Sequence, residues 1–483
     1  MYLLRQSLTI SQVMPWLSSG ILPLVRKGCG LALVLTLLGG CASYGVIVNE
    51  PKPAQPTGPV YNLKTWAEFK RNSDITFFLS FSGGGTRAAA MAYGVLQELR
   101  DTTVIIDGKE RRLLDEVDNI SSVSGGSFTA AYYGLNGDGI FDTFEEAFLR
   151  HDVEGDLKKS VLNPFHWFGS KDRTQRAIEY YQDILFHDAT FADMIRPDGP
   201  IIVINASDLA KGFRFSFIQG YFDLLCSDLS TYPVANAVAA SSAVPVVFNP
   251  VVIENFAGCD GFAKWPPTAA QLAQEDEEFG ILYDGASSYS DKENRKYVHY
   301  VDGGITDNIG LRAMTDVIAV SGGPTALLSA LGEKAPSKIV FISVNASTEQ
   351  VSDMDKTNKQ PGILASMNAT THAQLHRYNA ATINMVKQKL AAWAELVSTP
   401  DNQVSPYFIN IGFEQVPQIE LKYVLNKIPT SFSLTEEQVD ALIETGRTLL
   451  RHDPDFQRFL GTVSGKQPED TAANLKRSAY LTE

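Results

Sequence analysis

The sequence predicts an α/β protein built on a mainly parallel central sheet, and three observations carry that prediction. Residues 75–81 are a β-rich, mostly apolar run of the kind found in strands covered on both faces, and 200–205 and 338–344 are further strand candidates. Helical stretches separate these runs, which is the alternation of a parallel sheet with crossover helices. Two junctions, Ser82-Gly83-Gly84-Gly85-Thr86-Arg87 and Val123-Ser124-Gly125-Gly126, are glycine-rich turns leading from a strand into helix-forming residues.

Taken in order, residues 1–40 contain no acidic residue; Arg26 and Lys27 precede an apolar run at 31–38, and Gly39-Gly40 lead to Cys41. A basic segment, a short apolar segment and small residues describe a secretory signal peptide, too short to cross a bilayer as a helix. A cysteine directly after Leu-Gly-Gly resembles a bacterial lipobox, which implies a lipoprotein with lipidation at Cys41. An uncleaved N-terminal anchor is the alternative, and Met14 is a second candidate start. Ala42-Ser43 lacks the aspartate that retains such lipoproteins at the inner membrane. The expected location is therefore the bacterial outer membrane, lipid-anchored on its periplasmic face. Residues 41–74 form the lipidated N-terminus and tether, with the prolines of 50–59 making an extended, semi-rigid spacer. Of four cysteines, Cys29 falls in the signal, leaving Cys226 and Cys259 for the folded body. In an oxidising compartment they are a disulfide candidate, two separate thiols being the alternative. A formal charge of −14 excludes a nucleic-acid partner.

The first glycine turn is not a nucleotide cradle. It has no lysine for a phosphate-binding P-loop, and Gly83-x-Gly85 is followed by Ala88 where a dinucleotide fold needs a third glycine. Three glycines at a helix N-terminus instead let backbone N–H groups converge on one oxygen, aided by the helix dipole. Gly83, Gly84 and Gly85, with Gly125, are thus the candidate oxyanion hole. The second turn has the layout of a nucleophile elbow with Ser124 at its apex and the small residues Ser122 and Gly126 two positions either side. A third segment, His299-Tyr300-Val301-Asp302-Gly303-Gly304, ends a short strand in a carboxylate followed by two glycines. A three-residue offset on a strand sets His299 and Asp302 on opposite faces. Asp307 and Asn308 shape the turn beyond. His372 and His376 share a helix face, but no third ligand accompanies them. No metal and no cofactor are expected.

The segments SGGGTR at 82–87, SVSGGS at 122–127, ASSAVPVVFNP at 240–250 and DGG at 302–304 occur in an order that resembles the patatin-like phospholipases, over about residues 76–346. Ser82 stands where patatins carry aspartate, and with Ala88 it makes the loop similar to the SGGGxRA loop of group IV cytosolic phospholipases; Ser122 replaces a patatin glycine. The resemblance implies a three-layer sandwich with a mainly parallel central sheet and helical C-terminal additions. It also implies a catalytic Ser–Asp dyad, Ser124 and Asp302, with no histidine. Arg87 falls near the glycine loop, where it supports the loop or meets a substrate phosphate. The expected activity is serine acyl-ester hydrolysis on membrane lipid or lysolipid. A catalytically inactive lipid- or partner-binding lipoprotein, and an esterase or thioesterase on soluble acyl substrates, are the alternatives.

The expected organisation is a catalytic domain at 75–350, a helical C-terminal region at 351–464 packed on the core, and a polar tail at 465–483. Within the domain, 260–298 reads as an insertion, acidic at Glu275-Asp276-Glu277-Glu278 and mostly solvated. The aromatic segment 161–168 reads as a lid or interfacial patch, or as core. In the C-terminal region 405–412 reads as a strand, and Ser433 to Glu436 as a capping-box start of a helix.

Overall fold

The structure, a computed structural model, describes residues 44–463 except 57, 70–73, 107, 163–171, 260–264, 266–268 and 350–353. The signal segment, Cys41, most of the aromatic segment 161–168 and the tail lie outside the described residues. The central sheet is built from β1 (Ile75–Phe81), β2 (Asn119–Val123), β3 (Ile201–Asp208), β4 (Arg214–Ser216), β5 (Val251–Glu254), β6 (Tyr297–Asp302), β7 (Lys338–Asn345) and β8 (Ser405–Gly412). Their order is β8-β7-β1-β2-β3-β6-β5, with β4 beside β3. From β8 to β3 all neighbours are parallel, whereas β6 runs antiparallel to both β3 and β5. The sheet is therefore mixed and mostly parallel, as expected.

Register decides what meets at the sheet's working edge. Phe81 lies opposite Ser122, so the glycine turn after β1 and the serine turn after β2 emerge side by side. Val123 lies opposite Asn205 of β3, and Asp302 opposite the next residue, Ala206. The antiparallel β6 thus delivers its C-terminal carboxylate to the edge at which the parallel strands end.

Alternation along β1 splits the core into two layers. Phe77, Leu79 and Phe81 join the larger cluster, while Phe78 packs with Phe341 (centroids 4.7 Å apart) on the other side. The large face is covered by α1 (Thr86–Asp101), α2 (Gly125–Asn136) and α3 (Val234–Ser241). The smaller face is closed by α6 (Arg312–Val320) and α7 (Ile363–Val397), through Met314, Ile318, Val386 and Leu390. Between them in the chain lie α4 (Glu277–Ser287) and α5 (Gly304–Asp307); α8 (Ile419–Lys427) and α9 (Glu436–His452) follow β8.

The C-terminal residues do more than pack on a finished core: β8 is an edge strand of the sheet itself, and α9 crosses α1 at close range. Gly94, a weak point by helix propensity, is the crossing point. A Cβ there would stand 2.1 Å from the Ile443 carbonyl oxygen, and one on Gly446 would stand 2.4 Å from that of Met91. Arg451 closes the contact by gripping the fully buried Glu98 at 2.9 and 2.7 Å.

Two expectations are corrected. The proline-rich stretch is not a free spacer along its whole length, because Glu50–Pro51 pairs antiparallel with Ser227–Asp228, and the buried Asn49 amide bonds to Ser227 Oγ and Glu254 O. Nor is the 260–298 insertion mostly solvated where it is described. Asp276 caps α4, whose Phe279, Leu282 and Ala286 are buried, and the fully buried Tyr289 hydroxyl donates to Asp208 at 2.9 Å.

Candidate active site

The turn after β2 holds Ser124 at φ 50°, ψ −121°, a sparsely populated conformation that costs a non-glycine residue about 1–3 kcal/mol. Its surroundings hold it there. The Ser124 N–H donates to Ser241 Oγ at 2.8 Å, and Ser241 Oγ donates in turn to Asn205 O at 2.6 Å. Ser127 Oγ lies 3.0 Å from Ser241 Oγ and donates to Ser122 Oγ at 3.1 Å, so the serine that replaces a glycine at 122 finds a partner for its hydroxyl. Gly126 is small for a different neighbour: a Cβ on it would stand 2.7 Å from both Phe81 Cβ and Ser82 O, at the end of the adjacent strand.

Ser124 Oγ donates to Asp302 Oδ2 at 2.9 Å, across 178 residues of sequence. Both residues are buried, 6% and 8% exposed. The other carboxylate oxygen, Oδ1, accepts the Gly304 N–H at 2.7 Å. The Asp302 N–H donates to Ala243 O and the Gly303 N–H to Ser241 O, both at 3.0 Å, while Ser207 Oγ donates to the Asp302 carbonyl at 2.9 Å. The alanine-rich helix α3 and the residues just after it therefore hold the backbones of both the serine and the acid. Burial pushes the Asp302 carboxyl up to about 6, against the pull of the Gly304 N–H and the Ser124 hydroxyl.

The glycine turn lies against this pair. Gly84 and Gly85 take φ 144° and 61°, and a Cβ on Gly125 would stand 2.0 Å from the Gly85 carbonyl oxygen. Only glycines let the two turns approach so closely. Among the described residues the N–H groups of Gly84, Gly85 and Gly125 make no hydrogen bond, which leaves them free for a ligand oxygen. Gly83 is different: its N–H donates to Asn308 O at 2.9 Å, and that removes it from the expected donors.

Arg87 is also placed differently from a group held out towards substrate. It is 3% exposed, and its Nε, Nη1 and Nη2 donate to Ala346 O (2.8 Å), Ile428 O (2.6 Å) and Thr430 Oγ1 (3.0 Å). Burial lowers its pKa to about 10. The guanidinium is thus a clamp joining the start of α1 to the segments after β7 and α8, the loop-supporting role of the two weighed from sequence. Thr86 N–H reinforces the clamp by donating to Ser431 O at 2.9 Å.

Asp307 and Asn308 shape the turn beyond the acid. Burial raises Asp307 to about 7, and its Oδ2 accepts the Arg312 N–H at 2.8 Å. Asn308 Nδ2 donates to Ser347 Oγ at 3.0 Å. No histidine bonds to Ser124 or Asp302 among the described residues, and His299 is solvent-exposed on β6. Cys226 and Cys259 are joined as a disulfide, beside the docked residues 49–52. A cavity of about 140 Å³, lined by Trp66, Phe69, Thr76, Phe78 and Asn119, opens at the opposite ends of β1 and β2, away from this chemistry. The residue that sequence reasoning missed is Ser241. It stands within the 240–250 segment beside Ser242, and the two serines look the same in sequence.

No curated protein matches the chain. Among solved structures, human GIVD cytosolic phospholipase A2 is similar at 12% identity and TM-score 0.43, covering 91% of this chain and 67% of that one. Its complex with methyl γ-linolenyl fluorophosphonate gives TM-score 0.38, also at 12% identity, covering 92% of this chain and 70% of that one. VipD from Legionella pneumophila is similar at 12% identity and TM-score 0.31, covering 85% and 74%. The patatin-like phospholipase family model matches residues 79–315, a stretch that runs from β1 into α6 and takes in the glycine turn, Ser124, Ser241 and Asp302. The chain carries a patatin-like phospholipase domain, and with it the fold of a lipid acyl-ester hydrolase.

Proposed function

We propose that the domain hydrolyses acyl esters of phospholipid or lysophospholipid at a bacterial envelope, with Ser124 as nucleophile and Asp302 as general base. The 2.9 Å hydrogen bond from Ser124 Oγ to Asp302 Oδ2 is the observation that carries this reading. Asp302 takes the Ser124 proton as Oγ attacks the ester carbonyl carbon. The carbonyl oxygen becomes an oxyanion facing the N–H groups of Gly84, Gly85 and Gly125. Collapse of that species breaks the ester C–O bond; the alcohol leaves with the proton from Asp302, and the acyl group stays on Ser124. Water, giving its proton to Asp302, then attacks the acyl carbon. The second collapse releases the fatty acid and returns the proton to Ser124 Oγ. Burial makes Asp302 a stronger base than an ordinary carboxylate while leaving it ionised at neutral pH.

The envelope part of the proposal rests on the basic-apolar N-terminus ending at Cys41 and on the Cys226–Cys259 disulfide, which suits an oxidising compartment. A fluorophosphonate probe tests the chemistry: wild type should label, and Ser124→Ala and Asp302→Asn should not. Labelling that persists in Ser124→Ala would assign the nucleophile elsewhere. For the anchor, Cys41→Ala should abolish incorporation of radiolabelled fatty acid, and unchanged incorporation would remove the lipoprotein claim.

A further inference from the structure

We infer that Asn308 is a third catalytic side chain: its Oδ1 accepts one hydrogen of the water that cleaves the acyl-enzyme, while Asp302 takes the other. The inference rests on the acyl-hydrolase reading above and assigns a residue to the second half of that reaction.

Asn308 follows α5, the short helix that begins two residues after Asp302, and is 7% exposed. Two bonds fix it. Its carbonyl accepts the Gly83 N–H at 2.9 Å, and its Nδ2 donates to Ser347 Oγ at 3.0 Å. Ser347 is itself held by α7, where Asn379 Nδ2 donates to the same oxygen at 3.0 Å. With its amide nitrogen drawn towards the end of β7, the carboxamide turns Oδ1 the other way, between the glycine turn and the acid. A Cβ on Gly83 would stand 2.6 Å from this oxygen and 3.3 Å from Ser124 Cβ. A Cβ on Gly304 would stand 3.0 Å from it and 3.0 Å from Asp302 Oδ1. Neither glycine has a positive φ, so backbone conformation does not require glycine at either position. What a side chain at either one would displace is Asn308 Oδ1.

This oxygen is an acceptor to which no group donates among the described residues. Asn308 Oδ1 and Asp302 Oδ1 lie at equal distances from one point, so they are at most twice 3.0 Å apart, a span that the two hydrogens of one water bridge. During acylation there is nothing for Asn308 Oδ1 to hold, because the attacking Ser124 hydroxyl has a single hydrogen and it already points at Asp302 Oδ2. Once Ser124 is acylated its Oγ has no proton, and Asp302 Oδ2 can receive one from water. Two acceptors then fix both hydrogens of that water and leave a lone pair for the acyl carbon. As the water oxygen attacks, one hydrogen passes to Asp302 and the other stays on the incoming oxygen, bonded to Asn308 Oδ1. The acyl C–Oγ bond breaks, Ser124 Oγ takes the proton from Asp302, and the fatty acid leaves with the retained hydrogen.

The test uses the full chain, with Asn308→Ala and Ser347→Ala, on p-nitrophenyl butyrate. Both variants keep the backbone carbonyl that holds Gly83. Fluorophosphonate labelling reads attack by Ser124 alone. The nitrophenol burst and the steady rate after it separate acylation from deacylation, and intact-protein mass spectrometry reads the butyryl group on Ser124. Asn308→Ala is expected to label within about twofold of wild type and to give a burst, then to turn over about ten- to a hundredfold more slowly as butyryl-enzyme accumulates. Ser347→Ala, which frees the amide but leaves Oδ1, should show the same pattern with a smaller loss, and it carries the test if circular dichroism finds Asn308→Ala unfolded. Hydroxylamine, a stronger nucleophile than water, should speed turnover of Asn308→Ala by a larger factor than that of wild type. Wild-type turnover in the folded variants would overturn the proposal, as would labelling and turnover that fall by the same factor. A wild type that neither labels nor gives a burst would instead refute the hydrolase reading, and this inference with it; one that does both leaves that reading standing whatever the variants do.

Discussion

If Asp302 is the base, acylation of Ser124 requires the carboxylate, so fluorophosphonate labelling should fall as pH drops through the Asp302 pKa. An ordinary aspartate titrates near 3.8; burial carries this one to about 6, with the Gly304 N–H and the Ser124 hydroxyl pulling the other way. At about pH 7.5 nearly all of it is ionised, and at about pH 5 roughly one molecule in ten is, so the labelling rate should drop about tenfold between them. An unshifted aspartate would hold the rate near its plateau down to about pH 5. The assay is the second-order labelling rate from about pH 4.5 to 8, with circular dichroism confirming the fold at each point. A plateau that persists to about pH 5 in folded protein would refute a base raised by burial, and labelling retained in Asp302→Asn would refute the assignment of Asp302 itself. The same shift has a stability consequence of defined sign. Because the folded pKa lies above the unfolded one, the native state holds its proton between about 3.8 and 6 and loses stability as pH rises through that window. The loss totals about 3 kcal/mol above it. Asp302→Asn should therefore be inactive yet, by thermal melting at about pH 8, more stable than wild type by up to that amount, less what its altered bonds to Gly304 and Ser124 cost.

Arg87→Met should lower stability by roughly 2–5 kcal/mol, because the Ala346 and Ile428 carbonyls lose their donor; normal melting with a raised KM would instead return Arg87 to substrate binding. Gly94→Ala should lower the unfolding free energy by about 1–3 kcal/mol, read as a lower denaturant midpoint, since its Cβ would be forced onto the Ile443 carbonyl of α9. An unshifted midpoint would contradict the close crossing. Ser241→Ala removes the acceptor of the Ser124 N–H and the donor to Asn205 O, so kcat should fall about ten- to a hundredfold with KM little changed. A raised KM with kcat intact would place Ser241 in substrate contact instead.

The chemistry was legible wherever backbone geometry restricts residue choice. A strand that must end in a tight turn, and two turns that must touch, admit little besides glycine, so the segments at 82–87 and 122–127 announced themselves. The order of motifs then brought Asp302 to Ser124. What stayed hidden was every partner chosen by tertiary contact. Gly83 and Gly84 are adjacent and identical in type, yet only Gly83 spends its N–H on Asn308, and nothing local to the glycine run distinguishes them. Arg87 reads as a cation beside an anion site; its burial among carbonyls depends on Ala346 and Ile428, more than 250 residues away. Gly94 reads as a defect in a helix until α9 arrives. Ser241 is the clearest case, since its neighbour Ser242 has the same side chain but turns its hydroxyl back to Val238 O at 2.8 Å. One helical step thus separates a serine that fixes the Ser124 backbone from one that bonds only to its own helix. That difference lies in which way each faces in α3, and so in how α3 packs against β3 and the elbow.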